Sequence, residues 1–315
     1  MYDPALKTII AGAISRLASE LARSCPYMAP AVGDWIRGRS DTSEPADYYT
    51  HPSAFPTILF PWWIGKTLGA APSAEFHGDV IYSTVNGYYF VRILDNLMDG
   101  EATVELKILP ASIFFHTNFL TAYHRHFPHG HAFWGHALPI SLATADAIFK
   151  DSSLAAVDAA QFRRISARKT AAAKIPIAAA CYHYERPDLI EPWCQLSDLF
   201  SAWSQMFDDI FDCFKDSAAG TQTWFLSEAG RRMRPDETVA EWVSREGLAW
   251  GGEVLASWMV EMKALAGRLG CAEVDGYLAG RTTHFEQRRA DVEGGLRGLE
   301  GLAAALRSSP QVMDA

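Results

Sequence analysis

The chain has 315 residues, of which 49% are hydrophobic and 21% are charged, and its formal net charge is −9. This balance is typical of a folded protein rather than a disordered one, and the negative charge argues against a surface that binds nucleic acid. No stretch reaches the roughly 18 consecutive apolar residues of a transmembrane helix, so we expect no integral membrane segment. The five cysteines lack C-x-x-C spacing, which favours a reduced, cytoplasmic protein.

Helical periodicity runs through most of the chain, and the alternation typical of β-strands is nearly absent. Residues 1–23 have the pattern of an amphipathic helix rather than that of a secretion signal. A stretch over 25–61, rich in Pro, Gly, Ser and Asp, is expected to be irregular. The predicted helices span 1–23, 76–98, 111–127, 138–150, 154–184 (bent at Pro176), 190–215, 238–269 and 272–306. We therefore predict one all-α domain over 1–315, in which residues 1–60 precede a helical core over about 61–306.

Six of the ten histidines lie between His116 and His136. The segment contains Pro128 and Gly130 and has no HExxH pattern. We therefore interpret it as a polar loop between helices rather than as a zinc site.

Two acidic clusters interrupt apolar, aromatic segments. The first contains Asp95 and Asp99, and the second contains Asp208, Asp212 and Asp216. On a helix, carboxylates four residues apart share a face and repel each other unless a cation lies between them. Either cluster alone would fit a solvated helix face, but the aromatic residues that flank both favour carboxylates on the rim of an apolar cavity. Because Mg2+ binds carboxylates together with substrate phosphates, the clusters predict a metal site for a diphosphate.

Basic residues near the clusters are candidates for binding the diphosphate, since the planar guanidinium of arginine matches phosphate oxygens. Arg168 and Lys169 lie among small apolar residues upstream of the second cluster. Lys215 lies within that cluster, and Arg288 lies further along the chain. These four residues are the predicted diphosphate ligands.

These motifs resemble those of the class I isoprenoid synthases, which include trans-prenyl diphosphate synthases and class I terpene cyclases. Segment 205–216 (QMFDDIFDCFKD) is similar to the second aspartate-rich motif of prenyl synthases, QxxDDxxD. Lys169 and Thr170 are similar to their KT motif, whose lysine binds the allylic diphosphate. Segment 95–99 (DNLMD) stands where their first DDxxD motif would be, with Asn96 in place of the second aspartate.

Within this superfamily, two departures favour a cyclase over a chain-elongating synthase. Elongating synthases hold a second, non-allylic diphosphate with a GKxxRP-like segment and with an arginine pair after the first motif. Segment 65–69 (GKTLG) lacks the following Arg-Pro, and segment 100–110 contains no arginine. The second cluster can also be read against the cyclase pattern (N/D)Dxx(S/T)xxxE, with Asp208, Asp212 and Asp216 at its three liganding positions. The resemblance spans about residues 76–289.

The resemblance implies a helical bundle of the isoprenoid synthase type with a deep central apolar cavity. It implies a Mg2+-dependent class I terpene synthase, a carbon–oxygen lyase that ionises a linear allylic prenyl diphosphate with two or three Mg2+ ions (Mn2+ being an alternative). The resulting cation would cyclise or be quenched in an aromatic pocket. One alternative is a prenyl diphosphate synthase or prenyltransferase that joins the allylic diphosphate to isopentenyl diphosphate or another acceptor. A weaker one is an inactive helical protein that binds a prenyl lipid, and a homodimer is compatible with each.

The expected site residues fall into three groups. The expected metal ligands are Asp95, Asp99, Asp208, Asp209, Asp212 and Asp216. Those with the most direct catalytic role are Asp95, Asp208 and Asp212. The expected lining of the substrate pocket is Tyr88, Tyr89, Phe115, Trp203, Gln205, Phe207 and Phe211.

Overall fold

The structure, a computed structural model, describes residues 2–40, 45–51, 54–98, 105–151 and 157–308. These residues form helices, turns and connecting segments, and no strand occurs among them, which confirms the all-α prediction. No described helix is both long enough and apolar enough to cross a membrane. The first eight helices are α1 (Pro4–Ser24), α2 (Ala29–Ser40), α3 (Pro45–Thr50), α4 (Leu59–Thr67), α5 (Ala74–Met98), α6 (Glu105–Ile108), α7 (Ala111–Thr121) and α8 (Phe133–Asp151). They are followed by α9 (Ala159–Lys169), α10 (Lys174–His183), α11 (Ile190–Phe211), α12 (Cys213–Ala219), α13 (Trp224–Arg232), α14 (Val239–Trp242), α15 (Leu248–Leu269) and α16 (Glu273–Ser308).

The prediction of an irregular stretch over 25–61 is wrong, because α2 and α3 lie within it and α4 begins before it ends. Pro30 stands in the first turn of α2 and Pro45 begins α3, where a missing backbone N–H costs no helical hydrogen bond. In α2, Val32, Trp35 and Ile36 are buried at helical spacing. Residues 59–65 of α4 are all buried, so this helix shows no amphipathic pattern in the sequence.

The helix α5 carries the first acidic cluster and is fixed near its beginning by a buried carboxylate. Asp79 is 3% exposed and accepts hydrogen bonds from Arg16 Nη1 at 2.6 Å, Arg125 Nη1 at 3.1 Å and His126 Nε2 at 3.0 Å. These partners come from α1 and from the segment after α7, so one carboxylate joins three parts of the fold. His126 belongs to the histidine-rich segment that we predicted to be a loop. That interpretation is wrong for much of the segment, since α7, a 3-10 turn and the start of α8 occupy it.

The segment predicted as one long helix over 154–184 is instead two helices that meet at Thr170. The helix α9 begins with a capping box formed by Asp158 and Gln161. It ends at Lys169, and the Thr170 hydroxyl bonds the carbonyl oxygen of Ser166 at 3.0 Å. Pro176 does not bend the chain as predicted, because it lies in the first turn of α10. The break places Lys169 at the end of α9.

The second acidic cluster spans the junction of α11 and α12. The helical path deviates at Asp212, whose φ and ψ are −97° and 2°. The amide of Asp212 still donates to the Asp208 carbonyl at 2.8 Å, and the amide of Asp216 donates to the Asp212 carbonyl at 2.9 Å. The three aspartates therefore keep the one-turn spacing that the sequence predicted.

The position of α11 depends on a close approach to α15. A Cβ atom at Gly251 of α15 would lie 2.7 Å from Ile210 Cδ1 of α11, so only glycine fits there without displacement. The helix α13, which the sequence analysis missed, also packs against α11. The predicted helix over 238–269 is present as α14, a π-helical turn at Val243–Gly247, and α15.

Candidate functional site: a cavity between two acidic clusters

A cavity of about 760 Å³ lies where α5, α9, α11 and α12 converge. Both acidic clusters contribute to its wall, although they are far apart in the chain. Its described polar and charged lining includes Arg92, Asp95, Asn96, Ser166, Lys169, Gln205, Asp208, Asp209, Asp212, Lys215 and Asp216. Its apolar side chains include Met98, Val157, Phe162, Ile165 and Trp224.

Asp208 has the most strongly perturbed carboxylate of the second cluster. Its side chain is exposed within the cavity, yet the protein around it withholds part of its solvation. This desolvation raises the pKa of Asp208 from 3.8 to about 6, and the negative charge of Asp212 adds to the rise. The charges of Arg281, Arg288 and Arg92 act in the opposite direction on the same pKa. A negative charge on Asp208 beside that of Asp212 is therefore disfavoured until a cation binds near them.

The other carboxylates of the second cluster have different environments. Burial raises the pKa of Asp216, the charge of Asp212 raises it further, and Lys215 opposes the rise. Asp209 is 3% exposed and accepts a hydrogen bond from Gln205 Nε2 at 2.9 Å. Gln205 was predicted to contact the substrate; in the structure it lines the cavity and orients Asp209.

The first cluster presents one described carboxylate to the cavity. Asp95 lies on the wall, with its Oδ2 atom 3.5 Å from Nη1 of Arg92. Asp99, the second predicted ligand of this cluster, lies outside the described residues. Asn96 is 1% exposed and donates its amide to Oε1 of Glu105 at 2.7 Å. At the position of the second aspartate of DDxxD, this chain therefore has a hydrogen-bond donor.

Glu105, which the sequence analysis did not single out, is the buried acceptor that holds Asn96 at the end of α5. It is 2% exposed and also accepts hydrogen bonds from Trp35 Nε1 at 3.0 Å and from Arg39 Nη2. Burial alone would raise its pKa, but the bonds from Trp35, Asn96 and Arg39 hold the pKa at about 2. An isolated glutamate on a short helix gives no sequence signal, because its donors come from distant segments.

The structure separates the predicted diphosphate ligands. Lys169 and Lys215 line the cavity, at the end of α9 and within α12. The side chain of Arg168 is exposed at the end of α9, and Arg168 is not part of the described lining. The guanidinium of Arg288 lies over the ring of Phe211, 5.3 Å from its centroid. Arg92, which was not predicted, is a third cationic residue of the described lining.

The predicted aromatic pocket residues lie elsewhere than on the described wall of this cavity. The Tyr88 hydroxyl bonds that of Tyr48 at 2.6 Å. The rings of Tyr89 and Phe115 are in contact at 5.4 Å between centroids. Trp203, Phe207 and Phe211 follow one another along α11, with centroid separations of 5.4 and 4.7 Å. The aromatic residues that do line the cavity are Phe162 and Trp224, so the deep apolar pocket stays a prediction.

The donor chemistry of the cavity fits a hard divalent cation, because its carboxylates provide oxygen ligands. Among the described residues, however, no group of three or more His, Cys, Asp or Glu side chains is arranged to hold one ion. Mg2+ usually keeps several waters and binds through one or two carboxylates together with substrate phosphates. Asp95, Asp208 and Asp212 suit that mode of binding, in which protein supplies only part of each coordination shell.

The site has to be interpreted from its own chemistry. No family model, curated protein or solved structure matches the chain. The resemblance to class I isoprenoid synthases therefore depends on the motifs, and the function depends on what the cavity can bind.

Proposed function

We propose that the protein is a class I terpene synthase that acts on a linear allylic prenyl diphosphate. The observation that best supports this proposal is that Asp95 and Asp208, from α5 and α11, line one cavity together with Lys169 and Lys215. Carboxylates for divalent cations and amines for phosphate oxygens are the two kinds of group that a metal-bound diphosphate requires. A cavity of about 760 Å³ is in the range of small-molecule sites.

The polar and charged side chains of the cavity would bind the diphosphate. Asp95, Asp208 and Asp212 would hold Mg2+, which when bound supplies positive charge to the departing diphosphate. Lys169 and Lys215 would donate charge-assisted hydrogen bonds to its oxygens. In this function, Lys169 and Lys215 stabilise the negative charge that develops as the carbon–oxygen bond breaks, whereas the three aspartates act only through the ions that they would hold.

The apolar side chains of the wall would contact the prenyl chain. Met98, Val157 and Ile165 are aliphatic, and Phe162 and Trp224 present rings. The face of an aromatic ring attracts a cation, so Phe162 and Trp224 suit a carbocation intermediate. These two residues replace the six predicted aromatic residues as the first candidates for that role.

The charges of the cavity favour one diphosphate over two. Its described lining has five carboxylates against three cationic side chains, Arg92, Lys169 and Lys215. A prenyl synthase must hold a second diphosphate for the acceptor, which adds further negative charge. We therefore favour cyclisation or quenching of the allylic cation over chain elongation.

The test is to incubate the protein and Mg2+ with geranyl, farnesyl and geranylgeranyl diphosphates, each with and without isopentenyl diphosphate. We expect pyrophosphate release, and a hydrocarbon or alcohol with the carbon number of the substrate by mass spectrometry. A diphosphate product one isoprene unit longer, formed only with both substrates, would establish prenyl transfer instead. Binding without release of pyrophosphate would indicate an inactive lipid-binding protein.

A pair of variants connects the activity to the cavity. Asp212→Asn removes a carboxylate from the wall, and we expect it to abolish pyrophosphate release while the helical circular dichroism is retained. Asp34→Asn is the matched control, because Asp34 is exposed on α2 and pairs there with Arg37. Activity of Asp212→Asn equal to that of the control would contradict the proposal.

A further inference from the structure

Arg92 has a position that neither the motifs nor the proposed chemistry explains. It lies on α5 one turn before Asp95, and its Nη1 atom is 3.5 Å from Oδ2 of that residue. Both side chains line the cavity and are partly buried, with exposures of 38% and 23%. The charge of Arg92 also lowers the pKa of Asp208 in the second cluster, after the larger effects of Arg281 and Arg288. One guanidinium therefore pairs with a carboxylate of the first cluster and lines the same cavity as the carboxylates of the second.

The contact with Asp95 is suited to exchange. At 3.5 Å it is longer than a strong charge-assisted hydrogen bond, and partly exposed ion pairs of this kind contribute little to stability. A guanidinium also matches the oxygens of a diphosphate through two parallel hydrogen bonds. A cation that binds Asp95 would compete with Arg92 for the same carboxylate.

We propose that Arg92 is the counter-cation of Asp95 in the ligand-free protein and binds the diphosphate once divalent cations occupy the carboxylates of the cavity. This inference rests on the proposed function, because it assigns Arg92 to the same diphosphate. Arg92 thereby has two partners, one after the other. In the free protein it pairs with Asp95, and in the complex it contacts the leaving group.

The two partners predict opposite effects of Arg92→Gln on two binding constants. Without the guanidinium, Mg2+ alone meets no competitor, and we expect it to bind roughly three- to fivefold more tightly. Inorganic pyrophosphate, added at saturating Mg2+, loses a charge-assisted contact and should bind about tenfold more weakly. Isothermal titration calorimetry on metal-depleted protein measures both constants without any turnover.

Two further variants make the measurement specific. Arg92→Lys keeps the positive charge but loses the planar guanidinium with its paired N–H donors. This variant should therefore bind Mg2+ as the wild type does and pyrophosphate more weakly. Arg163→Gln is the matched control, because Arg163 pairs with Glu261 on an exposed surface at 2.8 Å. We expect this control to change neither constant. Circular dichroism should show the same helical content in all three variants.

The inference is overturned if Arg92→Gln changes neither constant, or changes both in the same direction. It is also overturned if Arg163→Gln reproduces the effects, if Arg92→Lys matches Arg92→Gln toward Mg2+, or if the wild type binds neither probe. A wild type that binds both probes but converts no prenyl diphosphate would remove the proposed function and leave the role of Arg92 intact.

Discussion

Exchanging Asn96 for aspartate would place a second carboxyl group against the buried carboxylate of Glu105, at the present hydrogen-bond distance of 2.7 Å. If the introduced group stays charged, the protein loses a hydrogen bond to a charged acceptor, worth about 1.5–3 kcal/mol, and gains repulsion. If it takes up a proton in order to donate, holding a carboxyl of pKa about 3.9 neutral at pH 7 costs roughly 4 kcal/mol. We therefore expect Asn96→Asp to lower the free energy of unfolding by about 2–4 kcal/mol.

A second substitution should remove the repulsion between the two carboxylates. In the wild type, Asn96, Trp35 and Arg39 all donate to one oxygen of Glu105, Oε1. In the double variant Asn96→Asp with Glu105→Gln, the introduced glutamine carries no charge to repel the introduced aspartate, and its carbonyl oxygen can still accept from Trp35 and Arg39. The pair keeps the same total charge, so we expect it to recover at least about 1 kcal/mol relative to the sum of the single variants.

Urea denaturation followed by circular dichroism measures the free energy of unfolding of the wild type and all three variants. The motif alone makes the opposite prediction, since Asn96→Asp restores the DDxxD pattern and would create a metal ligand. A variant Asn96→Asp that is as stable as the wild type and binds Mg2+ more tightly would refute our reasoning. A double variant no more stable than the sum of its single variants predicts would also refute it.

Three other predictions concern the second cluster, the packing of α11 and the response to acid. Asp208→Asn should raise the melting temperature, because it removes a charge that burial and Asp212 disfavour, while abolishing Mg2+-dependent turnover; a lower melting temperature would contradict this. Gly251→Ala should destabilise the protein by about 1–3 kcal/mol in urea, through overlap with an isoleucine of α11. Gly267→Ala in the same helix meets no atom within 4 Å and is the control. Burial holds the pKa of His77 at about 4, below its ordinary 6.5, so the unfolded chain binds more protons between these values. Unfolding free energy should therefore fall by up to about 3 kcal/mol as the pH drops from 6.5 to below 4, and His77→Gln should flatten this slope.

Local patterns in the sequence were sufficient to predict part of the fold and part of the candidate site. Helical periodicity located α5 and α11, because each buries an apolar face along its length. The one-turn spacing of Asp208, Asp212 and Asp216 placed them on one wall, since hydrogen bonds of helical spacing continue through the junction at Asp212. That Asp95 would lie in the same cavity followed from the motifs, which encode a non-local arrangement that spacing alone does not.

The wrong sequence-based predictions have a common physical cause, because the same residue type serves different purposes in different parts of the fold. The aromatic residues on α11, such as Trp203 and Phe207, have the same spacing whether they contact substrate or pack in the core. Pro30 reads as a helix breaker, although in a first turn it is tolerated. Nothing in the sequence distinguishes Glu105, because the hydrogen bonds that it accepts from Trp35 and Asn96 form only in the folded protein.

The attachment of α5 near both of its ends has a consequence for motion. Asp79 fixes its beginning and Asn96 its end, and both side chains are buried. In contrast, α12 has only seven residues, is largely exposed, and stops at Gly220 in a left-handed conformation. Amide protons of α5 should therefore exchange with solvent only when the whole protein unfolds, whereas those of α12 should exchange through local opening. Ligand binding would then slow amide exchange in α12 far more than in α5. The wall of the cavity formed by α5 is therefore rigid before the ligand binds, and the wall formed by α12 adapts to the ligand.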